Sequence, residues 1–320
     1  MDWQNKIKEA LSKREELIEL KVPKVNDHFI QKLQDYLQIA AFHSGYFGYL
    51  VQNSKTQYSS NGDIKIKINY QESKEESISV VQFANTFMQN RLAKISNEWE
   101  KLLLIHDFLR DKISYDASHS HKTPFLALKT GKSVCLGFAL LFGLLLKQAG
   151  IKQCYVSGVA RDPHTRTKDN HIWNKVMIGG LVYTIDLTWD SCTKATNPYS
   201  YFCVMDKQVI ISHFTEPNLP PIPKSSDIPF YQLIAAGKLP KIYNRLYPYV
   251  SPGKLLKYPE DLRDLLKGPG EYEFSIPKGG NLKQFIKSAT SRNRENLSSY
   301  HTNSYDDSVH GVQRVKLTLK

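Results

Sequence analysis

Hydrophobic side chains fall at two spacings along the 320 residues, and the spacing switches several times. Ile7, Ala10, Leu11 and Leu17 recur at the three-to-four-residue interval of a helix. Leu17 to Val22 then reads as an extended run, stopped by Pro23, which has no backbone N–H to continue a ladder. Phe29, Ile30, Leu33, Tyr36, Leu37 and Ala40 make a second helical stripe. Tyr46 to Val51 is aromatic and reads as a strand. Asn61-Gly62 signals a turn, and Ile64 to Tyr70 alternates strictly, as a half-buried strand does.

The centre of the chain begins with two amphipathic helices, Val80 to Leu92 and Glu98 to Ile113. Pro124 to Leu128 is a short helical stretch. Val134 to Gly150 is a strongly apolar helix with a glycine stop. Three strand-like runs follow: Gln153 to Val159, His171 to Ile178 and Leu181 to Leu187. Gly179-Gly180 joins the last two as a two-residue hairpin. Pro217, Pro220, Pro221 and Pro223 then mark a linker or wrapping loop.

The order of the N-terminus returns at the C-terminus. Leu255 to Leu266 is helical, Glu271 to Pro277 echoes the first strand with its terminal proline, Asn281 to Ala289 is a short helix, and Val312 to Leu319 alternates. These boundaries divide the chain into an N-terminal α-β-α-β-β module (1–80), a central core (81–215), a Pro-rich linker or wrapping loop (216–250) and a C-terminal α-β-α-β module (251–320). The two ends read either as a degenerate repeat or as two unrelated α+β extensions.

Composition narrows the classes. With 41% hydrophobic residues the chain can build a core, which excludes wholesale disorder. Its longest apolar runs, such as Leu140 to Leu146, fall far short of the ~20 residues of a membrane span. The start is mixed in charge and unlike a signal peptide, so the expected location is cytoplasmic. The net charge is +12, but residues 1–116 carry 16 basic and 16 acidic side chains. The excess therefore lies downstream, spread without a run of five like charges. That argues against nucleic acid as a partner and leaves a cell-wall polymer, a membrane face or an acidic protein as the charged candidates, beside a solvated basic exterior with no specific partner. Four cysteines, with no CxxC pair, are too few for a disulfide scaffold.

Three positions carry chemistry. Cys135 opens the apolar helix, where the macrodipole favours a thiolate and the open backbone N–H groups suit an oxyanion. His171 starts one strand of the Gly179-Gly180 hairpin and Asp186 ends the other. Counting outward from the turn places His171 near position 188, two residues past Asp186, a gap that a bulge or the side chains can close. A nucleophile, a base and an orienting acid can thus meet.

These residues sit in recognisable boxes. Lys132 to Ala139, Asn170 to Val176 and Tyr183 to Asp190 resemble the cysteine, histidine and aspartate boxes of the transglutaminase-like superfamily, with Ile105 to Leu109 and Tyr115-Asp116 as a similar lead-in. The resemblance covers roughly residues 85–215, and the layout is similar to bacterial, especially Firmicute-type, transglutaminase-like proteins. It implies an α+β fold: a papain-like core, with the cysteine helix packed on an antiparallel sheet, flanked here by α/β extensions at both termini. It also implies a thioester mechanism on a peptide or protein amide, through Cys135, His171 and Asp186, as a cysteine peptidase, amidase or transglutaminase. Leu136 and Phe138 depart from the family, where Gln and Tyr are common. No segment resembles the calcium loops of animal transglutaminases, so neither metal nor cofactor is expected. The charged loop Arg161 to Asp169 is a candidate lid.

Blander readings stand beside this one. Leu136, Trp173, Asn174 and Trp189 are candidate substrate contacts, but the tryptophans equally fit packing and Asn174 a bond within its box. His106, His164 and His213 are alternative bases: His106 lies mid-helix, His164 in a charged loop, and His213 could line the cleft. Cys154, Cys192 and Cys203 read as inert thiols. Tyr46 to Tyr49 reads as core, or as a sugar- or peptide-binding surface. The alternative to an enzyme is an inactive interaction module that keeps the cleft for binding.

Overall fold

The computed structural model describes residues 3–161, 167–216, 222–253, 256, 261–262, 265–266, 270–290, 300–307 and 309–319. Helices α1 (Trp3–Ser12) and α2 (Asp27–His43) lie with strand β1 (Leu17–Lys21) in the N-terminal unit. Strands β2 (Val51–Tyr58) and β3 (Asp63–Tyr70) complete an antiparallel sheet of order β1-β3-β2. Ile64, Ile66 and Ile68 are buried against Ile7, Leu11, Leu33 and Leu37, so the strict alternation of β3 faces the two helical stripes.

Two expectations fail here. Tyr46–Tyr49 is a helical turn, α3, not a strand. Gly45 enters it at φ +68°, and Gly48 lies so close to the Ala41 carbonyl that a Cβ would clash. Tyr46 is buried, which removes it from any binding surface. The strand β2, absent from the sequence reading, has almost no buried face, so its pattern carried no alternation to read.

The centre begins with α4 (Lys74–Phe87), started by a capping box between Ser73 and Glu76, and continues with a π-helical turn to Leu92. Next come α5 (Glu98–Lys112), β4 (Ser114–Tyr115), α6 (Pro124–Thr130), β5 (Lys132–Ser133) and α7 (Cys135–Gln148). Helix α7 is apolar all round because it is surrounded: every residue from Gly137 to Leu146 is buried. One side of its surroundings is a four-stranded antiparallel sheet, β6 (Lys152–Arg161), β7 (Lys168–Ile178), β8 (Leu181–Ile185) and β9 (His213–Thr215), in the order β8-β7-β6-β9. The sheet thus includes a fourth short strand at its edge that periodicity does not show. The predicted strand to Leu187 stops at Ile185, and α8 (Leu187–Cys192) begins at once.

Residues 230–250 are not a free linker. α10 (Phe230–Ala235), a 3-10 turn (Lys241–Leu246) and α11 (Tyr247–Val250), with α9 (Asp206–Val209) before them, follow the core. Phe230, Leu233, Tyr243, Leu246 and Val250 are buried in the central cluster with α7. Each such side chain contributes roughly 1.5–3 kcal/mol by leaving water. Pro229, Pro240 and Pro248 stand at the starts of these short helices, while Pro217, Pro220 and Pro221 lie outside the described residues.

The C-terminal sheet, β10 (Gly270–Pro277), β11 (Tyr300–Asp307) and β12 (Val312–Leu319), has the order β10-β12-β11, with the helix Leu282–Thr290 between its first two strands. The N-terminal sheet shares this first-last-second order. The predicted helix Leu255 to Leu266 lies largely outside the described residues. Among those described, no helix is long and apolar enough to cross a membrane.

Candidate active site

The approach to Cys135 is held by backbone. Gly131 ends α6 at φ +69°, and β5 then pairs in parallel with β4, Tyr115 opposite Ser133. The Asp116 N–H donates to Ser133 O at 2.9 Å. The Asp116 carboxylate gathers the Ser118 hydroxyl (2.6 Å), the His121 N–H and Nδ1 (2.8 Å each) and the Ser120 N–H (2.9 Å). Those donors hold its carboxyl well below the usual carboxylate range. His121 O in turn accepts from Val134 N–H and the Ser133 hydroxyl. A Cβ on Gly137 would lie 2.0 Å from Ser133 Oγ, so glycine is what lets this loop close on the helix.

Cys135 is the first residue of α7 and partly exposed. Its N-cap, Val134, offers no side-chain acceptor. By contrast α2, α4 and α5 are capped by Asn26, Ser73 and Asn97. The first N–H groups of α7 therefore stay available at the tip that carries the thiol.

The hairpin brings up the other two groups. Gly179 and Gly180 have φ +57° and +76°, as a primed turn needs, and the register runs from Ile178↔Leu181 to Asn174↔Ile185. That register sets His171 opposite 188, as counted. The two-residue gap is closed by the end of β8, without a bulge. Asp186 is the N-cap of α8: its Oδ1 accepts from Trp189 N–H (3.1 Å), which turns Oδ2 to His171 Nε2 at 2.5 Å. Burial alone would push the Asp186 carboxyl up, but the His171 charge and the hydrogen bonds hold it well below its ordinary value. Burial would likewise push His171 down. The Asp186 charge, its hydrogen bond and the influence of Cys135 instead raise it to about 10. With Nε2 taken by Asp186, Nδ1 is the ring nitrogen left for the thiol.

A fourth group joins them. His213, on β9, has Nε2 3.0 Å from Asp186 Oδ2 and Nδ1 2.9 Å from Ser212 Oγ. The sequence offers it as an alternative base; it sits instead on the carboxylate that serves His171. Among the described residues, His171, Asp186 and His213 are the group whose ligand atoms lie close enough to hold a metal ion. Their spacing speaks against an ion between them. Ligands of a tetrahedral zinc, bound at ~2.0–2.1 Å, lie roughly 3.3 Å apart, whereas the His171–Asp186 contact is 2.5 Å. That spacing is bridged by a proton.

The remaining candidates divide. Trp173 is buried, parallel to the His171 ring at 5.9 Å, and Trp189 lies 5.6 Å from it. Leu136 is partly buried against the core. Asn174 is buried, and its amide donates to Ala139 O and Gln153 Oε1, so it ties β7 to α7 and does not meet substrate. His106 is wholly buried, with Nε2 3.0 Å from Asp190 Oδ2, far from any base role. His164 and the centre of the charged loop, 162–166, lie outside the described residues. None of the four cysteines is in a disulfide; Cys203 is buried, and burial pushes its thiol up.

A helix with a cysteine at its tip, packed on an antiparallel sheet that bears a histidine, with an aspartate at the end of the next strand, defines a papain-like α+β core of the thiol-enzyme class. Residues 82–189 match the family model of the transglutaminase-like superfamily, to whose core this segment is similar. The chain is also similar to solved structures. One, provisionally described as a cysteine protease from Cytophaga hutchinsonii, has 16% identity over 42% of this chain and 61% of its own, with a TM-score of 0.30. A second, described as a TGase, has 14% identity over 54% of this chain and 50% of its own, with a TM-score of 0.32. A third, provisionally described as a protease from Parabacteroides distasonis, has 11% identity over 84% of this chain and 62% of its own, with a TM-score of 0.25. The chain thus spans between half and about three-fifths of the length of these structures. No curated protein matches it.

Proposed function

We propose that the protein is a thiol-dependent acyl-transfer enzyme acting on peptide or protein amides through Cys135, His171 and Asp186. One observation carries this reading: His171 has Nε2 on the buried Asp186, which leaves Nδ1 as the free ring nitrogen of an imidazole whose charge is favoured by both Asp186 and Cys135. The ring is thereby kept cationic, the form that can donate a proton to a leaving group. In the forward step the Cys135 sulfur forms a bond to the amide carbonyl carbon. The developing oxyanion meets the open N–H groups of α7. The C–N bond then breaks as the His171 Nδ1 proton passes to the leaving nitrogen, leaving a thioester. In the return step His171 takes a proton from the incoming nucleophile, and the thiolate leaves. Water as nucleophile makes the enzyme a cysteine peptidase or amidase. A lysine amine makes it a protein-glutamine transglutaminase.

The test is turnover. Wild type and Cys135→Ala are incubated with a peptide library and, separately, with a glutamine-rich protein plus a fluorescent primary amine. Cleavage or amine incorporation by wild type, absent from a folded Cys135→Ala, is expected. Equal residual signal in both proteins would sink the proposal and favour a module that uses its cleft only for binding.

A further inference from the structure

Asp186 is shared between two imidazoles, and only one of them belongs to the proposed chemistry. Its Oδ2 accepts from His171 Nε2 at 2.5 Å and from His213 Nε2 at 3.0 Å. The His213 ring is buried and walled by Trp189 (4.6 Å between centroids), Trp173 (4.9 Å) and Tyr201 (5.7 Å). Both ring nitrogens are engaged, Nε2 with Asp186 and Nδ1 with Ser212. An ionised Asp186 only accepts, which puts the proton of a neutral His213 on Nε2. Nδ1 then faces the Ser212 hydroxyl, 2.9 Å away, whose one proton is shared between Nδ1 and Val209 O at 3.1 Å. The backbone holds this chain of donors in place, since β9 pairs His213 with Ala160 while the neighbouring pair Gly158↔His171 joins β6 to β7.

We propose that His213 is a positioning residue for the thiol–imidazole pair: its Nε2–H fixes the Asp186 carboxylate and shares its charge with His171. This rests on the acyl-transfer reading above. The charged groups that act on His213 are Asp186, which favours its protonation, and His171, which opposes it; burial opposes it most. A neutral donor here restrains how strongly Asp186 holds the His171 proton. Removing the donor concentrates the carboxylate's charge on His171.

Alkylation of Cys135 by iodoacetamide, followed from pH 5 to 11 by peptide mass spectrometry, reads this without a known substrate. In His213→Leu, the alkaline limb that reports loss of the His171 proton is expected to move up by about one pH unit, with the maximal rate down about tenfold. His213→Gln, which presents an amide N–H near the same point, restores most of the wild-type profile. Ser212→Ala, a milder change that frees Nδ1, shifts the limb in the same direction by less, and stands in if His213→Leu does not fold. A profile in His213→Leu or Ser212→Ala superimposable on wild type overturns the proposal. So does an equal change in the Gln and Leu variants, because packing alone would then account for it. His171→Ala separates the two levels. If it leaves the wild-type profile untouched, the acyl-transfer reading falls as well. If the profile depends on His171 and not on His213, only the present inference falls.

Discussion

Two histidine–aspartate pairs lie one helical turn apart on α8, and they have opposite characters. Asp186 caps the helix and Asp190 follows four residues later, its N–H donating to Asp186 O. His171 gives Asp186 one nitrogen and keeps the other beside a partly exposed thiol. His106 gives Nε2 to Asp190 and has Nδ1 3.3 Å from Asp107, whose carboxylate also takes Arg110, Arg245 and the Tyr199 hydroxyl. The Asp190 Oδ1 accepts from Tyr201 N–H at 2.7 Å. The second pair is therefore saturated and sealed, whereas the first has one unsaturated corner. Electrostatics follow the same division. Asp186 is held well below its ordinary value by its cationic neighbour, while burial pushes Asp190 up to about 6. Identical residue types give a candidate site in one place and a structural brace in the other, and the difference is which nitrogen is left over.

The strongest test exchanges the two histidines' fates. His171→Ala is expected to slow Cys135 alkylation at pH 6 by about a hundredfold, because the thiol loses its cationic partner. Its stability loss is moderated because Asp186 keeps the Trp189 and His213 donors. His106→Ala should do the reverse. It leaves Asp190 buried without its imidazole and opens a cavity, costing roughly 3–5 kcal/mol. Urea midpoints and alkylation rates on both variants check this; equal loss of stability in the two would erase the contrast.

A second test uses pH. The folded pKa of Asp190, about 6, lies above its ordinary 3.8, so the native state holds a proton there that the unfolded chain has released. The stability from this group is complete below pH 4 and is lost as pH rises through 6, by about 3 kcal/mol. His106 is also raised, by Asp107 and Asp190 against the effect of burial, and so acts in the same direction. Wild type should therefore lose stability relative to Asp190→Asn between pH 4 and pH 8. A gap that stays constant across that range would mean that Asp190 is ionised throughout.

How much of this could be read beforehand follows from the range of the contacts. Cys135, His171 and Asp186 were legible because each sits at an end that local pattern marks: a helix start after Gly131, and the two arms of a Gly-Gly hairpin whose register can be counted. Asp186 also fits a turn or capping group in sequence, and it does cap α8. His213 was offered as lining the cleft and not as a partner of Asp186. It stands on a three-residue strand, and its pairing with Ala160 spans a stretch too long for periodicity to bridge. Asn174 was misassigned through parity. In β7 it falls on the opposite face from His171 and Trp173, toward α7, where Ala139 O receives it. Tyr46 to Tyr49 failed for another reason, since an aromatic run fits either element and the decision lay in the Gly45 and Gly48 backbones.

The smallest effect probes whether the two pairs are independent at all. Ser191 lies on α8 just past Asp190, and its hydroxyl donates to Ile113 O at 2.9 Å, both groups buried. This bond pins α8 to the end of α5, the helix that carries His106. Ser191→Ala removes the donor and leaves one buried carbonyl unsatisfied, a cost of about 1–2 kcal/mol. If the Asp186 cap fixes the helix start by itself, the Cys135 alkylation profile stays as in wild type while the urea midpoint falls. If the profile shifts too, α8 transmits strain from the sealed pair to the open one. The brace would then be part of how His171 is held, and the two clusters would have to be described as one.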